Sequence, residues 1–184
     1  MNARMALVAL ALVLAGCNQQ PATQAPDGGD SAQLDAPAPE SEPSRVFAAA
    51  NDAARTTAPE LTVSVTQQLP DAVDADIQEV LTLRGGSGLN IEAQITGAIS
   101  PATQIDGQTL RALLSIPVEE PQVLVYRITQ AAGASLCGGA AAAYVVMWEP
   151  SAPGDPSMKL LGVSGAAPGA ADAHACPMLE YRRS

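Results

Sequence analysis

The only histidine of the chain, His174, follows Ser164 and Asp172 in the order nucleophile, acid, base that one class of hydrolases uses. Ser164 lies in Gly-Val-Ser-Gly-Ala, which approaches the Gly-x-Ser-x-Gly turn but has Ala166 in place of the last glycine. A rigid triad needs separate elements to hold its members, whereas these three fall within one short loop of small residues. We therefore predict a solvated loop here, and no enzyme.

His174 and Cys176 are residue types that bind zinc, and only one alanine separates them. Zinc needs four ligands, or three and a water, and no third ligand lies nearby in the sequence. If Cys176 is part of a disulfide, it is not available to a metal. We predict no metal and no cofactor.

Four carboxylates without a basic residue among them occupy a short stretch: Asp71, Asp74, Asp76 and Glu79. They could form an acid and base pair, a calcium site, a patch for a basic protein or a solvated charged face. Calcium loops need a tighter alternation of oxygen ligands around a glycine, which is missing. The pattern favours the solvated face. Among the functional alternatives, the docking patch fits best, because residues 44–184 carry 14 acidic and 8 basic side chains, a net charge of −6.

The only tryptophan, Trp148, ends an apolar run and precedes Glu149 and a proline-rich loop, 149–157. A tryptophan at a strand end either fills the core or anchors an interface. Both alternatives stay open. We take Trp148 and Glu149, with the four carboxylates, as the predicted interface.

The N-terminus carries an export signal, with Arg4 before a short apolar run, 5–13, and then Leu14-Ala15-Gly16-Cys17. The last four residues resemble the lipobox of bacterial lipoproteins. This resemblance implies cleavage after Gly16, acylation of Cys17 and, since Asn18 is not aspartate, delivery to the outer membrane, facing the periplasm. The alternative is an ordinary secretory signal cut elsewhere, which leaves Cys17 a free thiol.

Residues 17–44 form the predicted tether. From Asn18 to Ser44 the chain has five prolines, five carboxylates, no Lys or Arg and one large aliphatic residue, Leu34. Such a segment buries too little apolar surface to offset its ordering entropy, so we expect a disordered spacer. An acidic recognition tail is the alternative. Residues 45–184 then form a single periplasmic domain.

Acylation of Cys17 would leave one cysteine pair, Cys137 and Cys176. Exported proteins meet an oxidising compartment, so we predict a disulfide; two separately buried thiols are the alternative. After cleavage the chain has 8 basic and 19 acidic residues, a net charge of −11. Because nucleic-acid affinity comes largely from Lys and Arg, this composition excludes nucleic acid as a partner.

Alternating apolar and polar residues predict a mainly β domain, a small antiparallel sandwich or barrel with one short N-terminal helix and one disulfide. We place the helix from Arg45 to about Arg55, capped by Ser44. Gly85 to Gly88 separates two alternating runs and predicts a β-hairpin. Periodicity does not decide whether residues 110–116 form a strand or a helix. About seven strands are predicted, at 61–69, 77–83, 89–96, 123–128, 142–148, 158–163 and 176–182.

Together these features predict a lipid-anchored binding module for another envelope or periplasmic protein, and the acidic charge favours a cationic one. A lipid anchor, a compact β domain, one disulfide and an acidic surface resemble the plan of small periplasmic lysozyme inhibitors and immunity lipoproteins. This resemblance is architectural and carries no residue across. The alternative is a structural or assembly factor of the envelope, and a hydrolase is disfavoured.

Overall fold

A computed structural model describes residues 42–68, 77–150 and 154–184. The predicted signal, Cys17, most of the tether, and Asp71, Asp74 and Asp76 lie outside these residues. The described elements are β1 (Arg45–Ala49), α1 (Asp52–Thr57), β2 (Glu60–Gln68), β3 (Gln78–Gly85), β4 (Asn90–Ile99), β5 (Gln104–Ile105), β6 (Gln108–Thr109), α2 (Leu110–Leu114), β7 (Val123–Ala132), β8 (Tyr144–Trp148), β9 (Ser157–Gly165), β10 (Ala173–Ala175) and β11 (Leu179–Arg183).

Eight antiparallel strands close into a barrel in the order β9, β11, β1, β2, β3, β4, β7, β8, and β8 pairs again with β9. The short β10 pairs with the end of β9, and β5 pairs only with β6. The prediction of a mainly β antiparallel domain is confirmed. Of the two predicted architectures, a sandwich or a barrel, the structure is the barrel. Closure of the sheet removes the free edges that an open sandwich would leave.

Two apolar clusters lie on opposite sides of the barrel wall. Along β8, Val145 and Met147 belong to the first cluster, whereas Val146 and Trp148 belong to the second. Because successive side chains of a strand point to opposite faces, the first cluster fills the barrel and the second lies outside it. The helix α2 and the β5–β6 hairpin cover this second cluster with Ile105, Leu110 and Leu114.

The N-terminal helix is shorter and later than predicted. Arg45–Ala49 is a strand that pairs with both β2 and β11, and the helix begins only at Asp52. Asn51, not Ser44, is its cap, because the Asn51 side chain accepts from the Ala54 N–H at 2.9 Å. The short N-terminal helix is confirmed, but its predicted start and cap were wrong, because strand pairing of residues 45–49 overrides the helix propensity of their alanines.

Replacing Asn51 with alanine is expected to lower the free energy of unfolding by about 1 to 2 kcal/mol, since it removes a helix cap. The same side chain also accepts from the Glu180 N–H at 3.2 Å and donates to the Met178 carbonyl at 2.9 Å. Urea denaturation measures the change. Ser44→Ala is the control and should have no effect; equal losses in both variants would contradict this assignment of the cap.

The structure also shows the outcome of predictions for three shorter segments. The turn at Gly85–Gly88 joins β3 to β4 as a hairpin, which confirms that prediction. The segment left open, 110–116, contains the helix α2, capped by the Thr109 side chain. Part of the solvated loop predicted around His174 is a strand, β10, because its residues pair with the end of β9.

The predicted disulfide joins Cys137 to Cys176 and closes one end of the barrel, which we call the disulfide end. Leu136 beside it is fully buried in the barrel cluster. A Cβ atom at Gly162 would lie 2.9 Å from the Leu136 Cβ and 3.1 Å from the Cys137 Sγ. Glycine at this position of β9 therefore leaves room for the disulfide and its loop.

The opposite end we call the Glu149 end. In an antiparallel barrel neighbouring strands run in opposite directions, so β1, β3, β7 and β9 begin at this end, and β2, β4, β8 and β11 finish there. The described part of the chain thus enters the barrel and leaves it at the same end.

Candidate binding surface

The predicted interface residues that the structure describes meet at the Glu149 end. Glu79 is the second residue of β3, Trp148 ends β8, and Glu149 follows it directly. The connection 69–76, which contains the other three predicted carboxylates, joins the end of β2 to the start of β3. Both of these strand ends lie at the Glu149 end, although the sequence separates Glu79 from Glu149 by about half of the domain.

An ion pair that the sequence did not reveal joins Arg45 to Glu149. One guanidinium nitrogen of Arg45 donates to both carboxylate oxygens, at 2.8 and 2.7 Å. The Arg45 guanidinium also lies 5.6 Å from the centre of the Phe47 ring. Residues 45 and 149 are distant in the sequence. Arg45 lies on β1 and Glu149 follows β8, which is not a neighbour of β1, so no local sequence pattern indicates this contact.

Glu79 points into the barrel, since Leu81 and Leu83, on the same face of β3, belong to the barrel cluster. The hydroxyl of the fully buried Tyr126 donates to Glu79 Oε1 at 2.7 Å. Burial first, and then this bond to Glu79, raise the pKa of Tyr126 above its ordinary value. The hydroxyl therefore stays protonated and remains a donor to the carboxylate.

Trp148 occupies the core position that the sequence allowed as one alternative, and only 6% of its surface is exposed. The Lys159 Nζ lies 5.4 Å from the centre of the Trp148 ring and donates to the Ser115 carbonyl at 2.8 Å. The indole Nε1 is buried and has no acceptor in the described part of the chain. Trp148 thus presents little surface directly, although it forms part of a groove.

This groove, which we call the rim groove, lies beside the start of β7 and the end of β8 and has a volume of about 230 Å³. Two of its lining residues are glutamates and none is basic. Several others are apolar. The lining residues are Glu120, Pro121, Gln122, Val123, Leu124, Met147, Trp148 and Glu149.

Three large hydrophobic side chains are exposed among the described residues, and each adjoins a strand that begins at the Glu149 end. Ile77, which is 56% exposed, directly precedes β3, and Val46 is the second residue of β1. Val118, which is 78% exposed, lies in the loop that leads into β7. Exposed apolar residues beside charged ones are typical of protein interfaces.

The predicted solvated loop around His174 contains an unexpected pair. His174 Nδ1 lies 2.9 Å from Asp106 Oδ1, and the Ala175 N–H donates to Asp106 Oδ2 at 2.8 Å. Asp106 and Gly107 both have positive φ and form the two-residue turn of the β5–β6 hairpin. The carboxylate thus fastens this hairpin to β10, and Asp172 is not the partner of His174.

Ser164 lies directly opposite His174 in the β9–β10 pairing, so their side chains share a face. No hydrogen bond joins them in the part of the chain that the structure describes. The His174 side chain is 63% exposed. The pair with Asp106 resembles two members of a triad, but this structure provides neither the bond to serine nor an enclosed site around it.

Asp106→Asn is expected to destabilise the protein at neutral pH. The bonds from Ala175 and His174 lower the pKa of the Asp106 carboxyl below 3.8. A carboxyl with a lowered pKa contributes stability above its unfolded pKa, and the contribution is lost as the pH falls through the folded pKa. The difference in denaturation midpoint between the wild type and Asp106→Asn should therefore shrink below about pH 4.

Asp172→Asn is the matched control for this prediction, because Asp172 directly precedes β10, the strand that Asp106 contacts, and has no side-chain hydrogen bond in the described structure. Its denaturation midpoint should match that of the wild type. A difference between wild type and Asp106→Asn that stays constant from pH 7 to pH 2.5 would contradict the role of the ionised carboxylate.

No group of three or more His, Cys, Asp or Glu side chains lies close enough to hold a metal ion within residues 42–68, 77–150 and 154–184. In the same ranges no helix is long and apolar enough to cross a membrane.

No protein-family model, curated protein or solved structure matches this chain. The function proposed below therefore rests on the chemistry of the Glu149 end.

Proposed function

We propose that this protein is a lipoprotein, anchored to the outer membrane through Cys17, whose barrel is a non-catalytic module that binds a basic envelope or periplasmic protein at its Glu149 end. The convergence of Glu79, Glu149 and the two strand ends around segment 69–76 supports this proposal most directly. The exposed Ile77 and Val118 add apolar contact area at the same end. The net charge of −6 over residues 44–184 favours a cationic partner through electrostatic steering.

A cationic muramidase is the first partner to test, because its basic surface complements this charge. Binding is measured with the detergent-solubilised full-length protein at moderate salt. Replacing Asp71, Asp74 and Asp76 together with asparagine should weaken binding by about tenfold, at roughly 0.5 kcal/mol for each charge removed.

The matched control changes the same net charge elsewhere, with Glu60→Gln, Glu92→Gln and Asp172→Asn in one variant. Its affinity should stay near that of the wild type. If both triple variants weaken binding equally, only net charge matters and the Glu149 end is not the interface. If the wild type does not bind the muramidase, affinity capture from native envelope extract decides whether another envelope protein binds.

The anchor is tested separately. Cys17→Ser should move the protein from the membrane fraction to the soluble periplasmic fraction, because acyl chains on Cys17 would supply the membrane affinity. Asn18→Ser is the control and should leave the protein in the membrane fraction. Retention of Cys17→Ser in the membrane fraction would contradict lipid anchoring at this residue.

A further inference from the structure

We propose that residues 38–42, at the end of the predicted tether, form a short edge strand on the part of β2 that β1 leaves uncovered. β2 stays paired with β3 as far as Gln68, whereas β1 begins only at Arg45, opposite Val63. In the part of the chain that the structure describes, the last five residues of β2 therefore have no strand on their β1 side. This inference is independent of the proposed function, because the occupant of the edge is the chain itself.

Alternate residues of β2 direct their backbone N–H and C=O groups towards opposite neighbours. The carbonyl of Pro59, just before β2, accepts from the Ala49 N–H on the β1 side. The carbonyl of the next residue, Glu60, accepts from the Gly86 N–H on the β3 side. Odd-numbered residues of β2 thus face β1, and the Gln67 N–H and C=O face the uncovered edge.

Glu42 makes the first contact of the tether with this edge. Its N–H donates to the Val65 carbonyl at 3.1 Å. If the register of β1 continued unchanged, Pro43 would lie opposite Val65, but proline has no N–H to donate. The donor is instead the residue before it, a shift of one position like that in a β-bulge. The chain therefore already follows the edge of β2 before β1 begins.

The bond from Glu42 sets the register of the residues before it. In an antiparallel pair, Glu40 then lies opposite Gln67, and Ala38 lies beyond the end of β2. In this register the Glu40 N–H donates to the Gln67 carbonyl, and the Gln67 N–H donates to the Glu40 carbonyl. Residues 37–41 precede the described ranges, so their place follows from this register and from their types alone.

The prolines of the segment are compatible with this register. Pro37 and Pro39 fall at positions whose backbone faces away from β2, whereas Ala38 and Glu40, which face β2, keep their N–H groups. In sheets, proline is confined largely to edge strands, where the position of its missing N–H faces solvent. Each proline also fixes its own φ and restricts the preceding residue to extended conformations. The segment is therefore extended before it pairs, which lowers the entropy cost of adding it to β2.

This edge strand completes the closure of the barrel where β1 is too short. An uncovered strand edge is a template on which another chain can pair. The tether covers that template with its own backbone, and Pro39 on the outer side leaves no N–H for a further strand. The tether then leaves the barrel at the Glu149 end, beside the connection 69–76, and the free spacer ends near Pro37 and not at Ser44.

The experiment measures hydrogen exchange of single backbone amides by NMR in the detergent-solubilised full-length protein. It compares Glu40→Pro, which removes an N–H that faces β2, with Ser41→Pro, which removes one that faces away. In Glu40→Pro the Gln67 amide should exchange about tenfold faster than in the wild type, because the proline ring pushes residue 40 off the edge. Ser41→Pro is the matched control and should leave the exchange rate of Gln67 unchanged.

The Gln68 amide faces β3 and is the reference for fraying of β2, so its exchange rate should be the same in all three proteins. Equal Gln67 rates in the wild type and Glu40→Pro would overturn the proposal. Equal acceleration of Gln67 by both prolines, or equal acceleration of Gln67 and Gln68, would also overturn it. A Gln67 rate that falls with rising protein concentration, in the wild type and Glu40→Pro alike, would assign the edge to a second copy of the chain and contradict the tether as its occupant.

Discussion

The double variant Cys137→Ala/Cys176→Ala is expected to lose about 4 kcal/mol of unfolding free energy, the largest effect predicted for this protein. The disulfide links residues separated by 39 positions, and a loop of this length restricts the unfolded chain by that amount on the chain-entropy model. The covalent link also holds the loop that places Leu136 in the barrel cluster. Guanidinium denaturation of wild type and variant measures the loss.

Cys17→Ser is the matched control for the disulfide, because it removes the third cysteine of the same chain. Its domain should unfold at the same denaturant concentration as the wild type. Reduction of the wild type should reproduce most of the loss seen in the double variant. An unfolding midpoint that neither reduction nor the double substitution changes would contradict a stabilising role for the link.

Tyr126→Phe is expected to lower the free energy of unfolding, whereas Tyr181→Phe is expected to leave it unchanged or raise it. Both tyrosines are fully buried in the barrel cluster. Tyr126 donates to Glu79, and loss of a hydrogen bond to a charged acceptor costs about 1.5 to 3 kcal/mol. The Tyr181 hydroxyl has no partner among the described residues. Removing it should be neutral, or stabilise the protein by about 1 kcal/mol.

Alkaline titration gives a second measurement on Tyr181. Burial raises its pKa to about 12, whereas its ordinary value is 10.0. A group whose folded pKa is raised contributes stability that is complete below the unfolded pKa and is lost as the pH rises through the folded one. Between pH 10 and 12 the wild type should therefore lose stability relative to Tyr181→Phe. Equal stability losses for the two phenylalanine variants at pH 7 would contradict the assigned hydrogen bonding.

The candidate site was only partly predictable. Trp148 and Glu149 stood out by residue type and by their place at the end of an apolar run, and Glu79 by the charge of its neighbours. They lie at the same end of the barrel because of the order in which the strands pair. Strand order depends on contacts between distant parts of the chain, so local sequence patterns do not predict it. Arg45 was missed because an isolated arginine at the edge of a predicted helix gives no signal of an ion pair with residue 149.

The sequence by itself determined the seven longer strands, the turn between β3 and β4, and the disulfide. Alternation in segments such as 61–65 specifies strands because every second side chain must be buried, and glycines at 85–88 specify a turn. Two cysteines in a chain that is predicted to be exported indicate a disulfide. Only the tertiary structure decided that the sheet closes, that Asn51 caps the helix while bonding to the segment around Glu180, and that His174 pairs with Asp106. These contacts join residues 68 to 129 positions apart. Side chains so far apart in the sequence meet only when the strands pair and the barrel packs. Local sequence patterns extend over a few residues and therefore do not specify these contacts.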